Sequence, residues 1–154
     1  MFTILFVCTG NTCRSSMAWA IAEGLLSQKD ATKKVKVTSA GTSVVPNSKA
    51  AEFAIEVMGK RGLDLKKHMA RQLTSELIDE ADLVLTMTRN HKQHVLILTP
   101  HVQENVFTLK EYARNLNSHD IYDPIGQPIE AYEECADELE YNIRLILEEI
   151  LNDL

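Results

Sequence analysis

At 154 residues, with 45% apolar and 25% charged side chains, the chain is long enough to bury a core of its own and reads as one globular domain spanning residues 1–154. A net charge of −6 argues against nucleic acid or anionic membranes as partners, so any anion site must be made by local geometry against the overall field. No apolar run reaches bilayer length, and the three cysteines fit reduced thiols better than a disulfide framework.

The run Phe2 to Val7, FTILFV, reads as a short buried strand. Its flank lacks the basic residues and small-residue cleavage site of a signal peptide, so a cytoplasmic location is expected. Met17, Ile21 and Leu25 recur at helical spacing on a helix starting near Arg14 or Ser15, and Lys34 to Ser39 forms a second strand before the turn AGT. A helix is predicted from about Ser48 to Lys60, with Gly62 suited to the left-handed position after its end. Thr74 is placed to cap the short helix TSELIDEA, which feeds a third strand from Asp82 to Met87. Arg89 to Leu98 reads as a helix that stops before Pro100, and NVFTL as a short fourth strand. Turn residues dominate from Asn115 to Pro128. Ile129, Tyr132, Ala136, Leu139 and Ile143 then mark a long amphipathic helix with acidic first turns. This alternation predicts an α/β fold: a four-stranded parallel sheet with helices on both faces, binding ligands beyond the carboxyl ends of its strands. Cys8 lies at such an end.

A strand ending at Cys8 and a helix beginning near Arg14 leave a short loop, CTGNTCRSS, folded over the free amides of a helix N-terminus, which is an anion cradle. Gly10 is expected to supply backbone freedom, Asn11 a left-handed turn braced by its side chain, and Arg14 paired donors to phosphate oxygens. The same positive surroundings favour thiolate over thiol at Cys8. A bland reading competes, with Cys8 a small core residue and Arg14 an ordinary first-turn residue. Strand before, helix after, and glycine and asparagine between favour chemistry. An acid is also needed, because a leaving nitrogen or oxygen departs faster when protonated. Asp123, before Pro124 in a turn-rich loop, is a candidate that the residues alone leave equally readable as a common turn starter, and Asp120 is expected to be a solvated loop residue. His91 and His94 stand one helical turn apart but lack further ligands nearby, so they are read as a solvated helix face with neither metal nor cofactor required.

The chain resembles the low-molecular-weight protein-tyrosine phosphatases almost end to end. VCTGNTCRSS is similar to their phosphate-binding loop, SAGT to their next strand end, HMARQLT and ADLVLTMT to their middle, and YDPIG to their acid loop. The resemblance implies Cys8 as nucleophile, Arg14 as transition-state clamp, Asp123 as general acid and Ser15 as the hydroxyl that stabilises the thiolate. Thr9, Gly10, Asn11, Thr12, Cys13, Ser15 and Ile125 would bind substrate. Asn11, Ser15, Ser39 and His68 would support the loop by hydrogen bonds. Ser16 departs from the proline usual at its position. Cys13 would serve as a resolving thiol for an oxidised Cys8, and Cys135 is read as core.

Thr12 bears on the substrate. Tyrosine phosphatases of the family usually have isoleucine there, whereas the bacterial protein-arginine phosphatase branch resembles this chain in having threonine. VFTLKEYA and MTRNHKQHV also look more like that branch. A smaller, partly polar wall suits a guanidino stem better than an aryl face. Ile125 is the contrary fact, since both branches commonly have an aromatic residue after the proline. The expectation is a monomeric phosphatase hydrolysing phosphoarginine in protein substrates through a phosphocysteine, with phosphotyrosine hydrolysis as the alternative. An arsenate reductase or a non-catalytic phosphate-binding module is more remote. Trp19 is expected to be core packing or part of a contact surface.

Overall fold

The computed structural model describes residues 1–115 and 118–154. Leu116 and Asn117, within the turn-rich stretch expected from Asn115, lie outside the described residues.

Four parallel strands, β1 (Phe2–Cys8), β2 (Val35–Gly41), β3 (Leu83–Thr86) and β4 (Val106–Thr108), form one sheet in the order β2-β1-β3-β4. The helices are α1 (Arg14–Gln28), α2 (Glu52–Lys60), α3 (Ser75–Glu80), α4 (Arg89–Leu98), α5 (Leu109–Tyr112) and α6 (Ile129–Asp153). This is the single-domain α/β architecture that the alternating pattern predicts.

Period-two alternation along β1 splits the core into two layers. Ile4, Phe6 and Cys8 face a cluster built with α1, α2 and α6, including Met17, Met58, Leu139 and Ile143. Leu5 and Val7 face a smaller layer with Ala40, Val84, Ile78 of α3 and Val95 of α4. Because β1 is central and flanked by β2 on one side and β3 on the other, its carboxyl end opens at the point where the strand order reverses. That is where an open α/β sheet has a crevice.

Two boundaries differ from the sequence reading. Helix α2 starts at Glu52 rather than near Ser48, because the backbone before it is committed elsewhere. The Ser48 carbonyl accepts from Ala70 N–H at 2.8 Å, Lys49 bridges to Met69, and Ala51 N–H donates to the Thr12 carbonyl at 3.0 Å. A 3₁₀ turn (Pro100–Asn105) and α5 were not foreseen, although Thr108 and Glu111 form a complete capping box at α5. Trp19 sits half-buried against the core, its indole N–H donating to the Val37 carbonyl at 3.1 Å.

Candidate active site

The loop from Thr9 to Cys13 turns on Asn11, fully buried with φ of 58°. Its backbone N–H donates to Cys8 Sγ at 3.3 Å and its Nδ2 donates to Ser15 Oγ at 2.7 Å. Its Oδ1 accepts from Arg71 N–H at 2.9 Å, and its carbonyl accepts from His68 Nε2 at 2.7 Å. Ser15 Oγ lies 2.9 Å from Cys8 Sγ and 3.4 Å from the Ala40 carbonyl. The sulfur is thus flanked by an amide and a hydroxyl, both fixed by one asparagine.

Among the described residues, the amides of Gly10, Thr12, Cys13, Arg14 and Ser15 have no acceptor within the chain, and α1 has no side-chain N-cap. A helix start left in this state, next to a sulfur, is suited to an anion. Ser16 Oγ donates to the Cys13 carbonyl at 3.0 Å, fastening the first turn without a proline.

Gly10 does not play the expected part. Its φ is not positive, and a Cβ there would meet only Thr12 Oγ1 at 3.6 Å, an ordinary contact. The glycine that the loop requires is Gly41, at the end of β2. A Cβ on Gly41 would overlap the Thr9 carbonyl oxygen and come within 2.8 Å of Val44 Cγ2 and 3.0 Å of Asn11 N. Only the SAGT motif hinted at it.

Arg14, 5% exposed, spans from the loop to the acid side: Nη1 donates to the Ile121 carbonyl at 3.1 Å and Nη2 to Asp123 Oδ2 at 3.4 Å. Asp123 Oδ1 accepts from Ile125 N–H at 3.1 Å. The loop carrying Asp123 is docked on β3 and α4 through Ile121 N–H to the Met87 carbonyl at 2.8 Å and Arg89 N–H to Asp120 Oδ1 at 2.9 Å. Asp120 is therefore an anchor, also 3.7 Å from the Arg89 guanidinium, and not merely solvated. Cys8, Thr9, Gly10, Thr12, Cys13, Arg14, Asp123 and Ile125 together line a pocket of about 270 Å³.

Of the expected loop supports, His68 bonds the loop directly. Burial lowers the pKa of His68, so the imidazole is neutral and presents its Nε2–H to the Asn11 carbonyl. Ser39 acts differently: its carbonyl, not its hydroxyl, accepts from the Arg71 guanidinium at 3.4 Å, and Arg71 in turn braces Asn11. His91 corrects the reading of a solvated helix face. It is 5% exposed, with Nε2 2.8 Å from Thr9 Oγ1 and Nδ1 2.9 Å from Thr88 Oγ1. Burial, reinforced by the nearby Arg14 charge, lowers its pKa to about 4. Nothing in the local sequence marks His91, since only the fold brings α4 against the loop.

Cys13 is buried, its thiol 3.6 Å from Tyr132 Oη and 3.7 Å from Thr12 Oγ1, and burial raises its pKa. Cys135 is buried in the core as expected, and burial pushes its thiol up to about 12. Among the described residues no group of three or more His, Cys, Asp and Glu side chains is placed to hold a metal ion. None of the helices among them is long and apolar enough to cross a membrane.

Comparison with known proteins agrees with this geometry. The model of the family described as "low molecular weight phosphotyrosine protein phosphatase" matches residues 3–154. The chain belongs to this family. It is 40% identical to a protein-arginine-phosphatase of Bacillus subtilis (strain 168), over 97% of each chain. It is 36% identical to a probable low-molecular-weight protein-tyrosine-phosphatase, EpsP, of Ralstonia nicotianae, over 92% of this chain and 90% of that one. Among solved structures, the YwlE arginine phosphatase in a cysteine-to-serine mutant with a phosphorylated active-site serine superposes with a TM-score of 0.92 at 39% identity. That match covers 99% of this chain and 97% of the other. Membership in the family accounts for the sheet and its flanking helices as one fold.

Proposed function

We propose that this protein hydrolyses phosphoarginine in proteins, with Cys8, Arg14 and Asp123 carrying the reaction. The Cys8 thiolate attacks phosphorus, forming the S–P bond as the N–P bond breaks, and Asp123 gives its proton to the departing guanidine nitrogen. Water then attacks the phosphocysteine, Asp123 takes a proton from that water, and inorganic phosphate leaves with the thiolate restored. The Arg14 fork and the loop amides hold the three non-bridging oxygens, over which the charge of the transferring phosphoryl group is spread. Thr9, Gly10, Thr12 and Cys13 contribute this rim. Asn11, Ser15 and His68 keep it in shape, and Ser39 acts through Arg71.

The wall of the pocket carries the substrate assignment. Beside Cys8 it is formed by Thr12 and Ile125, and no aromatic ring is among the lining residues, so a flat aryl group would find little stacking surface. Asp123 can accept guanidino N–H groups as well as protonate the leaving nitrogen. The identity to an arginine phosphatase supports the same reading, and the phosphorylated active-site serine of the mutant YwlE is the oxygen counterpart of the phosphocysteine proposed here. The 36% identity to a probable protein-tyrosine-phosphatase favours phosphotyrosine as the second reading. Arsenate reduction fits poorly, because a relay thiol beyond Cys13 would have to be Cys135, buried and protonated.

Cys13 shares the loop with Cys8 and is the thiol that would displace hydroxide from a Cys8 sulfenic acid to close a disulfide. Its raised pKa makes that closure slow at neutral pH.

Side-by-side kcat/KM values for a phosphoarginine and a phosphotyrosine peptide test the assignment. Preference for phosphoarginine is expected, and preference for phosphotyrosine would overturn it.

A further inference from the structure

The pocket over Cys8 is not the largest concavity at this end of the sheet. Across Thr9 lies an open cleft of about 510 Å³, against about 270 Å³ for the catalytic pocket, and both Thr9 and Arg14 belong to the two. We propose that this cleft holds the polypeptide main chain flanking the phosphorylated residue. The inference rests on the reading above only in requiring a phosphorylated side chain on a polypeptide.

The lining chemistry identifies the occupant. Thr42 and Ser43 on one wall and Asn90 and Gln93 on the other offer neutral hydroxyls and carboxamides, each able both to donate and to accept. That is the complement of peptide N–H and C=O groups. No carboxylate lines the cleft, and the Arg14 guanidinium that it shares with the pocket over Cys8 serves the phosphoryl group there. Of the two histidines on the lining, His91 is tied to Thr9 and Thr88, and His94 stands on the exposed face of α4, another group able to donate or accept. Ile97, 77% exposed at the edge, adds one apolar contact. Recognition of main chain rather than side chains predicts tolerance of many sequences around the phosphorylated residue.

The two walls are tied to the catalytic loop. Thr42 N–H donates to the Cys8 carbonyl at 2.9 Å and Ser43 N–H to the Thr9 carbonyl at 3.0 Å. On the other side His91 holds Thr9 Oγ1 at 2.8 Å while Thr88 Oγ1 lies 2.9 Å from its other nitrogen. Thr9 is thus a fixed partition, and a chain crossing it would be held in register with the phosphorus over Cys8.

The test uses two variants, Gln93→Trp to fill the cleft and the double change Asn90→Ala with Gln93→Ala to strip its amides. For each, kcat/KM is measured on a short phosphoarginine peptide, on free phosphoarginine and on para-nitrophenyl phosphate, the last too small to cross Thr9. The wild type is expected to favour the peptide over the free amino acid by about tenfold or more, and both variants to lose that preference through KM while para-nitrophenyl phosphate turnover is kept. An unchanged preference, or an equal loss on the peptide and on para-nitrophenyl phosphate, overturns the assignment. If the wild type turns over para-nitrophenyl phosphate but neither phosphoarginine substrate, the substrate reading fails. The same comparison with a phosphotyrosine peptide and free phosphotyrosine then decides the cleft separately.

Discussion

Asn11 concentrates more structural work than any other side chain of the loop. Its left-handed backbone, its bond to the sulfur, and its bonds to Ser15, Arg71 and His68 meet at one buried position. Asn11→Ala would leave the Arg71 amide unpaired and Ser15 unbraced, so a loss of about 2–4 kcal/mol is expected, together with a fall in kcat, measured by denaturant unfolding and turnover. His91 gives a pH signature. Unfolded, it titrates near 6.5, and folded, at about 4, so between these values the unfolded chain holds the extra proton. The stability of the neutral, buried form is therefore complete above pH 6.5 and is lost as pH falls through 4, by about 3 kcal/mol. His68 shifts in the same direction. The melting temperature of His91→Asn should decline less steeply than that of the wild type between pH 6.5 and 4. For Asp123, substitution by asparagine should lower kcat by about 10²–10⁴ on a poor leaving group and much less on para-nitrophenyl phosphate.

At the scale of elements, β2 supports catalysis through what it omits. Gly41 lets β2 end directly beneath Thr9, and Gly41→Ala is expected to cost about 1–3 kcal/mol and to reduce turnover by shifting the loop, a pairing that thermal melts and kcat would both report. Here the limits of sequence reading are physical. Helix α4 was legible to the residue, since the run from Arg89 to Leu98 and the proline after it are local signals, and the structure adds Thr88 as its cap. The loop between β1 and α1 was legible because cysteine, asparagine and arginine carry their chemistry in their side chains. The left-handed turn was rightly placed at Asn11, whereas Gly10 was misjudged because a glycine in a loop does not by itself say that its backbone needs the freedom. Gly41 and His91 were missed because their roles depend on contacts between segments distant in sequence. The start of α2 was misplaced for the same reason, the Ala51 amide before it being drawn to the Thr12 carbonyl and the Ser48 carbonyl to the Ala70 amide.

At the scale of the molecule, the sheet order sets β1 between β2 and β3, and three separate segments converge on its carboxyl end: the anion loop, the turn after β2 and the acid loop. A net charge of −6 leaves anion binding to that convergence, where free amides and Arg14 are held together. Everything proposed for this protein passes through the sulfur at its centre. The most direct measurement is therefore mass spectrometry of the Asp123→Asn protein quenched after mixing with para-nitrophenyl phosphate, whose good leaving group departs without an acid, compared with the Cys8→Ala protein treated alike. One phosphoryl group on the peptide fragment that contains Cys8, absent from Cys8→Ala along with all turnover, is the expected result. Phosphate release by Cys8→Ala at the wild-type rate, or a phosphoryl group on another residue, would contradict it.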